Sequence, residues 1–586
     1  MRICTGLDAA KNMKSGYRNP ARARLWVTIP AICLVACGGG GGGTSGPPPG
    51  TPTGPNHPPL LVSPNGDQVA IVGHPYDYDI TKQGGVFSDP DGDRLSYEVR
   101  FGQNTFGMCH LSMTGPRATG VPGAEGQCDV VLIARDGRGG EATDSFNIRL
   151  RHNQPPTVVA PNPNREVGIS SPIDYDAIQG GQTFTDADGH ALSYEVTLLS
   201  APAGFSVQGT RVVGALTAPG YAKVKVVARD AFGGVGEDSF AFVVPTPIAA
   251  RPTLPATPFV YDDRVLPLPD GLKPTPGGTY PFADTTPMDN EITDAGATLG
   301  RVLFYDKRLS ITNTHSCGSC HEQARGFASS QRFPTGSLGV PTKRSSMALT
   351  NVRYNGRNQH FLDARVGPLE DLALMPIMDR DELGTISLAS LEAELAAADY
   401  YPPLFSVAFG SPEITPERMA KALAQFLRSM LSFETRWDRA FLSMQPIPAP
   451  GPAGILTAQE LRGEDVFREQ GCDSCHNRTG FTSPGPENNG LDAVLTDPGA
   501  GEGRFRTTSL KNIAVSGPYM HDGRFATLRE VIDHYDHGVK NARFVNPTLI
   551  QQRNMSEDDK AALEAFFNLL TDDAFLTNPK FSDPFQ

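Results

Sequence analysis

Cys317-Gly-Ser-Cys320-His321 and Cys472-Asp-Ser-Cys475-His476 decide how the second half of this chain is organised. In a c-type haem site the two thiols add to the haem vinyl groups, and the next residue, histidine, is held where its ring binds the iron. A zinc ribbon needs its cysteine pairs roughly 15 to 20 residues apart, far closer than these, and a redox dithiol needs a βαβ context. The sequence therefore predicts two covalent c-type haems, attached through Cys317, Cys320, Cys472 and Cys475, with His321 and His476 as iron ligands.

The bulk composition favours several domains and excludes one class of partner. The chain has 586 residues, too many for one hydrophobic core. Its formal net charge is -13 and no long basic run is present, whereas nucleic-acid binding requires clustered Lys and Arg. The 62 glycines and 51 prolines indicate linkers and turn-rich β structure alongside helices.

An export signal is expected at the N-terminus. The apolar run from Leu25 to Ala36 follows three arginines and is too short to span a bilayer. Leu34-Val-Ala-Cys37 resembles the bacterial lipobox, in which the cysteine is acylated after cleavage. We expect a lipoprotein-type signal over 1–37, lipid on Cys37 and a Gly/Pro-rich tether over 38–58. The protein would then be periplasmic or on the cell surface, anchored to a bacterial membrane only through the lipid. An ordinary cleaved signal with a chance cysteine is the alternative.

A duplicated segment precedes the haem motifs. Phe87-Ser-Asp-Pro-Asp-Gly-Asp-Arg-Leu-Ser-Tyr-Glu-Val99 returns as Phe184-Thr-Asp-Ala-Asp-Gly-His-Ala-Leu-Ser-Tyr-Glu-Val196. Alternating apolar stretches between Gly, Pro and Asp turns predict strands, so each copy, over 59–153 and 154–247, is interpreted as a β-sandwich. The copies resemble the cadherin-like and immunoglobulin-like modules of bacterial surface proteins. Their Asp-rich turn is either a calcium site, through Asp89, Asp91 and Asp93, or a plain turn.

Two further cysteines, Cys109 and Cys128, lie in the first copy. The second copy has neither, and disulfides persist in exported proteins. We therefore predict a disulfide between Cys109 and Cys128.

After a Pro-rich linker over 248–284, the sequence pattern becomes helical. Thr415-Pro416 is typical of a helix start, and Thr457-x-x-Glu460 and Thr527-x-x-Glu530 are capping boxes. The predicted fold is thus multidomain: two N-terminal all-β sandwich repeats followed by a mostly α, two-domain diheme cytochrome c region, divided at 285–450 and 451–586.

The C-terminal region resembles the bacterial diheme cytochrome c peroxidase and MauG family. Beyond the haem motifs, the residues that carry the resemblance are Leu299–Ser310, Phe361–Arg365, Leu369-Glu370, Pro376 with Glu382, Asn488–Leu491 and Pro518–Gly523. The resemblance implies a haem peroxidase in which the haem on His321 reacts with hydrogen peroxide and the haem on His476 relays electrons. A small cytochrome or cupredoxin would be the electron donor, or a protein the substrate.

Catalytic roles for Glu382 and Arg365 follow only from this resemblance. The family uses a distal glutamate to move a proton between the two peroxide oxygens, and Glu382 matches it by its spacing from Pro376. Taken alone, Glu382 would be interpreted as a solvated loop acid.

The chain departs from the family pattern at two positions. Leu362 stands where the family has a tryptophan between the haems, and Leu372 where it has a distal-side glutamine. Both electron transfer between the haems and distal hydrogen bonding are therefore in question. His360 is either a sixth ligand in a resting state or, more often for such a residue, a surface or core histidine.

The sixth ligand of the second haem separates the subfamilies. Cytochrome c peroxidases place a methionine there and MauG-type proteins a tyrosine; by spacing from His521 the matching residue is Tyr535, with Met520 as the alternative. The resemblance also implies a calcium ion between the haems, for which Ser516 and Pro518 would supply carbonyl donors.

Three functions fit this sequence. The first is peroxide reduction at the His321 haem, and the second is MauG-type oxidation of a partner protein. The third is a surface electron-transfer cytochrome without peroxide chemistry, which the leucines at 362 and 372 keep open.

Overall fold

The computed structural model describes residues 54–101, 111–261, 284–354, 358–443, 455–476, 480–482, 485–540 and 543–586. Cys37, the signal, most of the tether, Cys109 and most of the linker lie outside these residues. Among the described helices, none is long and apolar enough to cross a bilayer.

The first copy of the duplicated segment forms a β-sandwich. A four-stranded sheet has the order β2-β9-β8-β5 and faces a three-stranded sheet of order β3-β7-β6, while β1 pairs with β4. Alternate residues of the long strands are buried between the sheets, as the period of two requires. The strands are β1 Leu60–Leu61, β2 Gln68–Ile71, β3 Tyr76–Asp79, β4 Phe87–Ser88, β5 Ser96–Phe101, β6 Leu111–Thr114, β7 Arg117–Gly120, β8 Gly126–Arg135 and β9 Glu141–Arg151.

The second copy repeats this topology strand for strand. Its sheets have the orders β11-β18-β17-β14 and β12-β16-β15, with β10 paired to β13. The strands are β10 Thr157–Val158, β11 Arg165–Glu166, β12 Ile173–Asp176, β13 Phe184–Thr185, β14 Ser193–Ser200, β15 Ser206–Gln208, β16 Arg211–Gly214, β17 Gly220–Arg229 and β18 Val235–Val244. The predicted pair of all-β sandwiches is confirmed.

The Asp-rich turn of the first sandwich is organised by protein hydrogen bonds. Asp89 Oδ1 accepts from the backbone N–H groups of Asp91, at 2.9 Å, and Asp93, at 3.1 Å. Asp91 in turn accepts from His57, and Asp93 pairs with Arg138. These three carboxylates lie within 4.8 Å of one another. Each has at least one protein partner, as in a plain turn, but Oδ2 of Asp89 is buried without one, so the choice between a plain turn and a calcium site stays open.

Cys128 in β8 is disulfide-bonded and fully buried. Its predicted partner, Cys109, lies outside the described residues, so the pairing itself stays a prediction.

The C-terminal half is mostly helical, as predicted. Thr415 caps the helix that begins at Pro416, and Thr457 and Thr527 form the two predicted capping boxes. The helices are α1 Asp294–Tyr305, α2 Leu369–Met378, α3 Leu388–Ala397, α4 Tyr401–Phe409, α5 Pro416–Arg428, α6 Arg436–Ser443, α7 Ala458–Glu469, α8 Leu528–Asp533, α9 Glu557–Leu569 and α10 Asp573–Thr577; a short ladder joins β19 Pro486–Glu487 to β20 Phe505–Arg506.

The two haem regions use the same helix crossing. In the first, α1 packs on α5 so closely that a Cβ on Gly300 would lie 2.0 Å from the carbonyl oxygen of Ala422. In the second, α7 packs on α9, and a Cβ on Gly463 would lie 2.0 Å from the carbonyl oxygen of Ala562. Only glycine permits either approach.

Gly300→Ala is expected to destabilise the first haem region by about 1–3 kcal/mol, because the added methyl meets backbone that cannot rotate away. Thermal unfolding followed by far-UV circular dichroism measures the loss. Gly367→Ala is the control, since its Cβ would be 3.9 Å from the nearest atom. Equal thermal unfolding midpoints for Gly300→Ala and Gly367→Ala would contradict the close approach of α1 and α5 at Gly300.

Candidate functional site

Each Cys-x-x-Cys-His motif forms a tight turn that packs against the helix carrying the crossing glycine, twelve residues after the end of α1 in the first region and three after the end of α7 in the second. Cys317–Ser319 and Cys472–Ser474 are 3₁₀ turns that follow α1 and α7. All four motif cysteines are free thiols and half-buried. Each turn therefore supplies one histidine and two sulfurs that no disulfide occupies.

The motif histidines are oriented by the same contact. Nδ1 of His321 lies 2.7 Å from the carbonyl oxygen of Phe327, and Nδ1 of His476 lies 2.9 Å from that of Phe481. A carbonyl can only accept, so Nδ1 carries the proton and Nε2 is left to bind a metal. Burial lowers the pKa of both rings, which keeps them neutral.

A cavity of about 870 Å³ opens beside the first motif. Cys317, Cys320 and His321 line it, and so do both leucines at the positions where the family pattern differs. Two thiols, an oriented imidazole nitrogen and an enclosed, largely apolar space fit a covalent haem. The other predicted residues that the cavity wall brings together are Glu382, Arg365, Leu362, Leu372, Pro376 and His360.

Glu382 is held in the wall with an altered acidity. Burial, with a smaller contribution from the Asp379 carboxylate, raises its pKa to about 7, against an opposing effect of Arg365. The carboxyl group therefore changes protonation state near neutral pH, as proton transfer requires. The interpretation of this residue as a solvated loop acid is wrong, because its turn packs inward.

Arg365 lies at the mouth of the same cavity. Its guanidinium stacks 3.8 Å from the centre of the Phe361 ring and donates to Asp363 at 2.8 Å. These contacts fix the planar group while 44% of the side chain stays exposed. Arg365 is thus held in the cavity wall with its side chain partly open to solvent.

His360 is a core histidine of the cavity wall. Only 1% of it is exposed, and Nε2 lies 3.2 Å from Oδ1 of Asn358. Burial lowers its pKa to about 3, with help from the charges of Arg506 and Arg428. The ring is therefore neutral.

The second haem region supplies part of the first cavity, a feature that the sequence did not indicate. The backbone N–H of Arg506 donates to the carbonyl oxygen of Leu362 at 2.7 Å. Arg344 joins the regions through Asp363, at 2.5 Å, and through both carboxylate oxygens of Asp497, at 2.7 and 2.8 Å. The Arg344 guanidinium lowers the pKa of Asp497 to about 2. Neither arginine belongs to a motif, so only the fold reveals them.

Tyr535 and Met520 converge on one amide in the second haem region. Nδ2 of Asn489 lies 3.3 Å from Sδ of Met520 and 3.5 Å from the Tyr535 hydroxyl. Tyr535 lies in a single π-helical turn, His534–Gly538, a feature frequent at functional sites. Burial raises the pKa of Tyr535, against an opposing effect of the Asn489 hydrogen bond; the nearby thiols of Cys472 and Cys475 add a smaller increase.

The predicted calcium donors, Ser516 and Pro518, flank a cis Gly517–Pro518 peptide bond. The guanidinium of Arg325 donates to the Gly517 carbonyl at 3.2 Å and to that of Val515 at 3.5 Å. A cationic side chain thus already contacts the neighbouring carbonyls, and the calcium site stays a prediction.

Comparison with known proteins places this geometry in a family. Residues 294–445 match the family model described as di-haem cytochrome c peroxidase. The chain is 33% identical over 310 residues to the methylamine utilization protein MauG of Methylorubrum extorquens, covering 50% of this chain and 83% of that protein. It is 30% identical to MauG of Methylophilus methylotrophus, over 44% of this chain and 76% of that protein.

Two further similarities extend the comparison. The cytochrome c551 peroxidase of Nitrosomonas europaea is 26% identical, over 50% of this chain and 84% of that protein. A solved structure of a MauG-like protein associated with microbial copper homeostasis is 31% identical, with a TM-score of 0.47 over 53% of this chain and 99% of that one. The helical half of the chain therefore belongs to the di-haem cytochrome c peroxidase and MauG family of haem oxidoreductases.

Proposed function

We propose that this protein reduces hydrogen peroxide at the haem held by Cys317, Cys320 and His321, with electrons relayed through a second haem held by Cys472, Cys475 and His476. The observation that carries the proposal is Glu382 in the wall of the His321 cavity, with a pKa near 7. When bound, the first haem supplies the iron at which the O–O bond is reductively cleaved. Two protons and two electrons convert one peroxide to two waters, and an external protein donates the electrons.

The chain's own residues handle the protons. The ionised Glu382 carboxylate accepts a proton from the nearer peroxide oxygen and returns it to the farther one, which leaves as water. Arg365 donates hydrogen bonds at the cavity mouth and lowers the pKa of Glu382. The Leu372 side chain cannot form a hydrogen bond to peroxide. Among the predicted site residues, Glu382 and Arg365 therefore supply the polar contacts to it.

Oxidation of a partner protein is a second candidate function. The relatives named MauG favour it, and so does Tyr535 beside the second haem motif. Opposing it, Leu362 provides no aromatic ring between the haem regions. Electron transfer without peroxide chemistry is the third candidate, and a peroxide titration of the diferric and diferrous protein separates it from the other two.

We further propose that the protein is exported, with lipid on Cys37, and that the two sandwiches position or display the enzyme. The division into a sandwich pair, a linker and two haem domains at 285–450 and 451–586 is part of this proposal, as are the Cys109–Cys128 disulfide and the calcium site at Ser516 and Pro518.

The mature protein is expected to carry two covalent haems. Its intact mass, measured under denaturing conditions, should exceed that of the polypeptide by two haems. A double replacement, Cys472→Ala with Cys475→Ala, should remove one haem and leave the other. A mass increase of fewer than two haems in the unaltered protein would remove the basis of the proposed function.

Glu382→Gln should leave both haems attached and slow peroxide reduction by about 10²- to 10⁴-fold, the usual loss for a general acid-base group. Because the carboxylate must be ionised to accept a proton, the unaltered rate should fall as pH drops through about 7 and be retained above it; the variant should lose this pH dependence. Asp381→Asn, at the neighbouring carboxylate, is the control: it should keep the rate above pH 7 and move the pH dependence slightly lower, because the Asp381 charge also raises the Glu382 pKa. A fully active Glu382→Gln variant would refute the assignment.

Tyr535→Met should raise the reduction potential of the second haem, because a thioether favours ferrous iron and a phenolate oxygen favours ferric and higher states. It should also weaken the direct reaction of the diferric protein with peroxide. Spectroelectrochemical titration measures the potential. Met520→Leu is the matched control, since both side chains contact Asn489. A potential that responds to Met520→Leu and not to Tyr535→Met would assign the ligand to Met520.

A further inference from the structure

The outer face of the four-stranded sheet differs between the two sandwiches. In the first, β8 and β9 pair Gln127 with Arg149, and both side chains are exposed. In the second, the same register pairs Tyr221 with Val243, and Val243 is fully buried. A polar surface in one copy has become an apolar contact surface in the other.

This apolar surface packs on the first haem region. Ala241 and Val243 form a buried cluster with Ile311 and Leu338, against which Tyr221 also packs. The backbone adds a hydrogen bond from Thr246 N–H to the carbonyl oxygen of Thr312, at 3.0 Å. The contact is apolar and buried, unlike a flexible tether between modules.

The same sandwich holds both ends of the turn that carries Glu382, residues 379–384. Nδ2 of Asn164 donates to the carbonyl oxygen of Gly384 at 3.2 Å. Asp238, whose side chain is 2% exposed, pairs with Arg380 at 3.0 Å. An ion pair with one partner this buried is sensitive to geometry and screened little by salt.

The haem region makes hydrogen bonds to the middle of this turn, and the residues that donate them lie at the contact with the sandwich. The Ser337 backbone N–H donates to the carbonyl oxygen of Glu382 at 2.7 Å, and that of Ile311 donates to the carbonyl of Leu383 at 3.0 Å. Ile311 itself and Leu338, next to Ser337, are the residues packed against the sandwich. The apolar contact therefore holds in place the two segments whose backbone N–H groups donate to Glu382 and Leu383.

The two sandwiches differ at the position of Asn164, which is an aspartate, Asp67, in the first copy. Asn65 and Asn162 make the same hydrogen bonds within their sandwiches, so Asp67 and Asn164, each two residues on, are equivalent. Asp67 accepts from a β9 N–H at 3.0 Å, and Asn164 accepts from the Ala241 N–H at 3.0 Å. The Asn164 side chain thus keeps the acceptor role of Asp67 through Oδ1. Its NH₂ group, which an aspartate lacks, donates to the carbonyl oxygen of Gly384.

We propose that the second β-sandwich is a positioning element of the peroxidase, in which Asn164 and Asp238 fix the turn that carries Glu382. The inference rests on the proposed role of Glu382. Neither residue touches peroxide or haem; both act through the backbone of the turn. Loss of either contact lowers turnover because the carboxylate leaves the position from which it transfers the proton.

Asn164→Asp is the principal test in the full-length, haem-loaded protein. The aspartate still accepts from Ala241, as Asp67 does in the first copy, but it cannot donate to Gly384. We expect kcat for peroxide reduction to fall on the order of tenfold, with KM for peroxide and haem content unchanged. The control, Asp67→Asn, makes the reverse exchange in the first sandwich and should keep the unaltered kcat.

Arg380→Gln provides a second test at a partly exposed residue of the turn. It should lower kcat in the same way, and Arg380→Lys, which keeps the ion pair with Asp238, should restore most of it. Rescue of this kind separates positioning from a general loss of stability.

The outcomes distinguish this inference from the proposed function. Unaltered kcat in Asn164→Asp and Arg380→Gln, with Glu382→Gln slow, would overturn the positioning role and leave the peroxidase proposal intact. A fully active Glu382→Gln variant would overturn both. If kcat falls in Arg380→Gln and is equally low in Arg380→Lys, that result would also count against the inference.

Discussion

The contact between helix backbones at Gly300 and Gly463 is the constraint on which both haem regions depend. A side chain at either position would push the crossing helices apart, and in each region the cysteine turn packs against the helix that carries the glycine. The crossing therefore sets where the sulfurs and the histidine ring lie. The carbonyls of Phe327 and Phe481 then fix the ring rotation, so the iron-binding nitrogen has one direction in each region.

The first cavity is built by more than its own region. Arg506 and Asp497 from the second haem region reach its wall, and Arg344 connects them to the segment that carries Arg365. The two haem regions are thus joined through a half-buried polar contact. The leucine at 362 removes an aromatic ring from this path but keeps the backbone connection to Arg506.

Much of this arrangement could be predicted from the sequence because it is local. Capping residues such as Thr457, the helical periodicity of α5 and the spacing of the haem motifs all act within a few residues. The cap and the helix were confirmed, whereas covalent haem attachment at the two motifs stays a prediction. The acidity of Glu382 could not be predicted, since it arises from burial by segments far along the chain. Arg344 and Arg506 are also invisible locally, because an isolated arginine carries no periodic or spacing signal. The contact of Asn164 with Gly384 joins residues more than two hundred positions apart, and no pattern in either segment announces it.

The unequal faces of the two sandwiches have a consequence for how this protein can change over time. The second sandwich packs on the first haem region through its outer face. On the inference above, a substitution on that face would change the turnover of the enzyme as well as the stability of the sandwich. The first copy keeps a polar face towards solvent at Gln127 and Arg149, so one polar residue can replace another there without disturbing a contact with the haem region. An exchange of the outer copy would have to keep its contacts with the neighbouring sandwich, Arg151 with Asp188 and His74 with Phe232, whereas a change to the adjoining sandwich would also have to keep the surface that fits the haem region.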